Sequence, residues 1–196
     1  MTDGTAEALR LLLMYGVAPL WLAAGFGDWL LHRKSRIEAT SGAPESLLHL
    51  LQLGEMGLVV LAVLFLEVNA AVLLLAVVSL ALHEASALWD VSYAVKRREV
   101  GVLEQHVHSF LEVLPLTGTL MLMALRWPQA ASLVGIGDAD FALRAKAVPL
   151  PQAYLWTVLT AAALFAVLPY GEELLRCLRY RRRGQIMPHR PPASAG

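Results

Sequence analysis

Five apolar stretches, each long enough to cross a lipid bilayer, follow one another along this chain and restrict it to one kind of architecture. They cover roughly residues 11–31, 45–66, 70–95, 102–125 and 154–175. A helical run of about 20 apolar residues spans the hydrocarbon core. Within hydrocarbon every backbone N–H and C=O must find a partner inside the segment, which leaves the helix as the economical answer. The expected fold is all-α, a polytopic integral membrane bundle of about five transmembrane helices. With 57% apolar and 16% charged residues, the chain is too oily for an ordinary soluble domain. Residues 1–180 read as one transmembrane helical domain, and 181–196 as a basic, Pro-rich cytoplasmic tail.

The breaks between spans are chemically marked. Gly16 and Pro19 loosen the first. The polar linker IEATSGAPES follows it, with Pro44 suited to the first turn of the next helix. Glu67-Val-Asn69 separates the second and third spans. Pro115 should kink the fourth, because it removes the N–H that would bond the Leu111 carbonyl. From Arg126 to about Pro151 runs a longer connection, in which residues 140–148 (DFALRAKAV) could form a short interfacial helix.

Basic residues test this topology. Arg33, Lys34, Arg36, Lys96, Arg97, Arg98, Arg176, Arg179, Arg181, Arg182, Arg183 and Arg190 fall on one side, against Arg10, Arg126, Arg144 and Lys146 on the other. Positive residues favour the cytoplasmic side, so the N-terminus is expected outside and the C-terminus inside, in the inner (cytoplasmic) membrane of a bacterium. The first ten residues lack a signal-peptide pattern, so the first span is expected to remain in the mature protein. A zero net charge argues against nucleic-acid binding, and the lone Cys177 excludes a disulfide within one chain.

Against this apolar background the acids and histidines stand out. His32, His49, His83, His106 and His108 all fall toward the cytoplasmic side of these helices, whereas His189 is a tail residue. An ionisable side chain at membrane depth is costly unless partnered, and so marks a functional site by default. Consecutive helices are antiparallel, so residues equidistant from a turn lie at one depth. Glu55 and His83 each lie about 21 Å from the turn at Asn69, at 1.5 Å per residue. The same reasoning sets His49 level with Asp90, Asp28 with His49, His32 with Glu45, and Asp90 with His108. One layer should therefore contain Asp28, His49, Asp90 and His108 from four helices.

Helical phase completes the set. Residues four apart share a face, as do Asp28/His32, Glu45/His49, Glu104/His108 and His108/Glu112, while His83 and Asp90 are two turns apart. The expected metal ligands are Asp28, His32, Glu45, His49, His83, Asp90, His108 and Glu112. Glu55, His106, Glu104 and Glu84 form a secondary set. Phase turns His106 about 160° from His108 and Glu84 about 100° from His83. Glu38, Gln52 and Glu55 could orient the ligands, and Trp29, Trp89, Tyr93 and Phe110 could line the pocket or mark the membrane interface. Glu172 and Glu173 read as a solvated helix end, with membership of the site's outer shell as the alternative.

Imidazole and carboxylate without thiolate suit iron, manganese or zinc. More ligands than the four of tetrahedral zinc imply two or three metal ions, iron foremost. Two-iron helix bundles use this donor mix with Glu-x-x-His motifs; here the motifs are Asp28-x-x-x-His32 and Glu45-x-x-x-His49. The chain also resembles the membrane di-iron desaturases and hydroxylases in gathering its ligands at the cytoplasmic helix ends, without their HxxxH and HxxHH boxes. That resemblance lies in site chemistry alone and assigns no residue.

The resemblance implies an iron-dependent oxidoreductase of hydroxylase, desaturase or oxidase type acting on a lipid-soluble substrate. No dinucleotide or phosphate-loop motif is present, so electrons would come from an external donor. The alternatives are a zinc-dependent membrane lipid hydrolase, in which Glu112 could act as base, and a metal transporter or sensor. A structural polar network or proton relay would need no metal. The lipid bilayer is the one partner composition implies directly; a homo-oligomer stays open.

Overall fold

The computed structural model describes residues 2–186, so His189, Arg190 and the Pro-rich end of the tail lie outside it. Five helices are long and apolar enough to cross a membrane. We label them α1 (Asp3–Ser35), α2 (Ala43–Phe65), α3 (Ala70–Ala94), α4 (Val102–Leu125) and α6 (Gln152–Gly184), with a short α5 (Trp127–Ser132) after α4. The helix of α6 continues as far as Ile186, past the expected start of the tail at residue 181.

Local chemistry explains where these helices start and bend. Thr2 caps α1 by accepting from the Thr5 N–H at 3.3 Å. Gly42, at φ 70°, opens α2 just ahead of Pro44. Asn69 caps α3, its side-chain oxygen accepting from the Val72 N–H at 3.3 Å. Two helices widen into a π-turn shortly before a proline: Leu13–Val17 precedes Pro19 in α1, and Ala163–Val167 precedes Pro169 in α6. A proline leaves the carbonyl one turn earlier without its usual donor, and local rewinding is one way to accommodate it.

In cross-section the long helices form a closed ring, α1–α4–α3–α2–α6 and back to α1. At one end, Val72 and Leu73 of α3 pack against Ala62, Leu122 and Ala130. Met56, Val59 and Ala76 fill the middle together with Trp21. At the opposite end, where the α1–α2 and α3–α4 connections and the basic end of α6 lie, Ile37, Ala43 and Cys177 close a small cluster. Ring packing leaves many leucines facing outward, as expected where lipid rather than water is the surrounding medium.

The segment expected as an interfacial helix at residues 140–148 is extended instead. Leu66 and Ala145 form an antiparallel bridge, the Glu67 N–H donates to the Arg144 carbonyl at 2.9 Å, and the Lys146 N–H to the Phe65 carbonyl at 3.0 Å. Asn69 donates from Nδ2 to the Ala142 carbonyl at 2.8 Å. The tight turn between α2 and α3 exposes backbone groups that no helix satisfies. An extended strap supplies partners that a helix, with its own groups already bonded, would not have had.

Candidate metal centre

Each wall of the ring contributes acids or histidines to one interior cluster near the basic end. Asp28 and His32 project from α1, Glu45 and His49 from α2, Asp90 from α3, Glu104 and His108 from α4, and Tyr170 and Glu173 from α6. Pairs three or four residues apart present both members to one side. Asp28, Glu45, Asp90, Glu104 and Glu173 are each no more than 5% exposed, and His32 is sealed completely.

His32 is the hub. Its Nδ1 lies 3.1 Å from Glu173 Oε2, and the other oxygen of Glu173 lies 2.7 Å from His49 Nδ1. The two imidazoles stack with centroids 4.4 Å apart. One carboxylate thus holds both rings by the same nitrogen. A carboxylate can only accept, so each Nδ1 carries the proton and each Nε2 is turned to the interior. Second-layer carboxylates orient metal-bound histidines in this way.

Those Nε2 atoms face more carboxylates. His49 Nε2 lies 3.1 Å from Asp90 Oδ2. His32 Nε2 lies 3.2 Å from Glu104 Oε1 and 3.5 Å from Asp28 Oδ1, and His108 Nε2 lies 2.9 Å from the same Asp28 oxygen. Yet His32 Nε2, Asp28 Oδ1 and Asp90 Oδ1 are buried without a hydrogen-bond partner. Ligands about 2.0–2.1 Å from a four-coordinate ion sit about 3.3 Å from one another. The spacing here is close to that figure; His49 Nε2 and Asp90 Oδ2 also meet as a hydrogen-bonded pair, whereas the contacts of His32 Nε2 are poorly aligned for one. Two groups of donors converge closely enough to share an ion: Asp28, His32 and His108, and His32, Glu45 and His49, each within 4.8 Å. Cys177 belongs to neither.

Arg98, expected only as part of a basic loop, enters the cluster. Its Nη2 lies 2.5 Å from both Glu45 Oε1 and Glu104 Oε1, its Nε bonds Glu45 at 3.1 Å and its Nη1 bonds Glu104 at 3.0 Å. The side chain is 3% exposed. Burial works against its charge, but the bonds to Glu104 and Glu45 outweigh this and hold its pKa above the ordinary arginine value. Glu45, expected as a ligand, is thus paired with a guanidinium.

Other expected residues lie elsewhere. His83 is buried on α3, but its Nε2 donates to the Leu111 carbonyl at 3.3 Å, the group that Pro115 frees. Its Nδ1 is 4.0 Å from Glu55, which accepts from Ser86 Oγ at 2.8 Å. Glu112 is half-buried and joins neither ligand group; Glu84 and His106 are exposed, and His106 packs edge-on against Phe110. Glu104 stands within the cluster.

None of the four aromatics suggested for the pocket joins the cluster. Trp29 donates to Glu172 and lies under Arg33, Tyr93 donates to the Ser41 carbonyl, and Trp89 and Phe110 face outward. Tyr170 is the aromatic that joins the cluster, donating to the Gly25 carbonyl at 3.0 Å and standing 3.3 Å from Asp28 Oδ2. Glu38 holds Arg176 outside the cage.

Glu173, expected as a solvated helix end or at most an outer-shell residue, is fully buried and bonds both His32 and His49. Adjacent residues on a helix point about 100° apart, and the buried Tyr170, three residues before Glu173, marks the inner face to which Glu173 rather than Glu172 belongs. No family model matches the chain, and no curated protein or solved structure is similar to it.

Proposed function

We propose that this chain is a membrane-embedded metalloprotein whose cage of imidazoles and carboxylates holds two metal ions, iron foremost, and that it is an oxidoreductase for a lipid-soluble substrate. The observation that carries this reading is the charge within the cage. Among the described residues, five sealed carboxylates (Asp28, Glu45, Asp90, Glu104 and Glu173) face a single sealed guanidinium, that of Arg98. The excess is four negative charges. Uncompensated charge at that depth costs several kcal/mol per ion even after relaxation. Two divalent cations would balance the excess, whereas protonating His32, His49 and His108 would still leave one negative charge.

In this reading Asp28, His32 and His108 hold one ion. His49 and Asp90, with the free oxygens beside them, hold the second. Glu173 keeps the imidazole Nε2 lone pairs directed inward. Arg98 neutralises the Glu45–Glu104 side, and Tyr170 offers a buried hydroxyl beside Asp28. Bound iron would supply activation of dioxygen, with electrons delivered by a separate donor protein. The distribution of basic residues supports an N-out, C-in orientation in an inner membrane, with the cage opening toward the cytoplasm.

Elemental analysis of protein purified in detergent tests this. Two iron ions per chain are expected, falling sharply in the His49→Ala, Asp90→Ala double variant. Absence of any transition metal, or a content unchanged in that variant, would end the proposal. Zinc alone, without optical bands, would favour a metal-dependent lipid hydrolase.

A further inference from the structure

Along the outer side of α6 runs an open groove of about 840 Å³. Gly171, Leu175, Arg179 and Arg183 lie along it four residues apart, so they form one stripe on the helix. Over about 18 Å the stripe passes from an apolar wall to two guanidinium groups. The helix is 33 residues long, about 50 Å, against a hydrocarbon core of about 30 Å. Along the stripe Leu175 is the last apolar residue before the two arginines, which places their guanidinium groups near the level of lipid head groups.

Arginine donors in the groove exceed the acceptors the protein supplies. Arg176, which lines it, bonds Glu38 through Nη1 and pairs with Glu172 Oε1 through Nε at 3.4 Å, while its Nη2 is buried without a hydrogen-bond partner. Glu172 is already engaged by Trp29 Nε1 at 3.1 Å and by Arg33 at 3.3 Å. Among the described residues neither Arg179 nor Arg183 forms an ion pair. Unfilled donors next to an apolar trough match a molecule with anionic oxygens at one end and a hydrocarbon chain at the other.

We propose that this groove is a binding site for one anionic phospholipid, its chain lying against Val167, Leu168 and Gly171 and its phosphate taken by Arg179 and Arg183. The site stands on the membrane-spanning character of the chain and not on the metal reading. Gly171 provides the sharpest test. A Cβ placed there meets nothing within 4 Å, so a larger side chain fits the protein but fills the groove.

Native mass spectrometry of the full chain, delipidated in detergent and titrated with phosphatidylglycerol, should give a one-to-one adduct. At least tenfold more lipid should be needed for Gly171→Leu, for the Arg179→Gln, Arg183→Gln pair, and for phosphatidylcholine on the unaltered chain. An adduct unchanged in Gly171→Leu would reduce the arginines to a general attraction for charged membrane and overturn the site. So would equal binding of phosphatidylcholine. Equal competition by water-soluble glycerol phosphate would assign the arginines to a free anion and remove the lipid from the proposal.

Discussion

His83 on α3 and His32 on α1 are both sealed inside long apolar helices, at 4% and 0% exposure, yet their surroundings differ in kind. Around His83 the contacts are few: a backbone carbonyl at 3.3 Å and one carboxylate at 4.0 Å. His83 supplies the Leu111 carbonyl with the donor that Pro115 lacks. Around His32 three carboxylates lie within 3.5 Å, and a second imidazole stacks on its ring. Burial alone does not bring a histidine into the cage. What separates the two is the number of anions facing the ring and whether a backbone group already uses its nitrogen.

The contrast can be broken experimentally. The largest effect should come from Arg98→Ala, which leaves Glu45 and Glu104 buried without their cation. A loss of about 3–5 kcal/mol is expected in denaturation measured in detergent, and added divalent metal should recover part of it by taking the guanidinium's place. Next is Glu173→Gln, which keeps the shape but can no longer accept from both Nδ1 groups as an anion. Metal affinity should fall about 10- to 100-fold, read by competition with a chelator, with the helical circular dichroism unchanged.

His83→Ala sharpens the comparison from the other side. It should cost about 1–3 kcal/mol, since the Leu111 carbonyl loses its donor, and should leave metal content untouched; loss of metal would place His83 with His32 after all. Smallest is the effect of restoring the missing backbone donor. In a Pro115→Ala background the restored backbone N–H serves Leu111, so His83→Ala should cost about 1 kcal/mol less than in the parent chain. Equal costs in both backgrounds would remove the hydrogen bond from the explanation.

Much of this was legible in the sequence. Apolar length and the polar breaks located all five long helices, because hydrocarbon allows so few alternatives. Depth matching across turns put Asp28 level with His108 by way of His49 and Asp90, and in the structure Asp28 meets His108 at 2.9 Å and His49 meets Asp90 at 3.1 Å. The method worked because antiparallel neighbours share a ruler of 1.5 Å per residue. It failed where a residue's role depends on something other than depth. Arg98 sits in a Lys96-Arg97-Arg98 run that topology alone explains, and only loop geometry chooses which of the three turns inward. Glu173 joins from α6, which is linked to α4 by a long connection and so has no nearby turn from which to count. Residues 140–148 misled because an alternating pattern of charge and apolar residues fits a surface helix and an extended strap alike.

The π-turn at Ala163–Val167 has a consequence for the cage beyond accommodating Pro169. A wider coil holds about one residue more than an ordinary one, so everything after it is rotated by roughly a hundred degrees relative to an uninterrupted α-helix. Tyr170 and Glu173 lie just downstream, and their aim is set by that extra residue as a key is set by a single notch. Shortening the chain by one residue there would turn the anion that steadies both imidazoles away from the cage, with every acid and histidine on the other helices still in place.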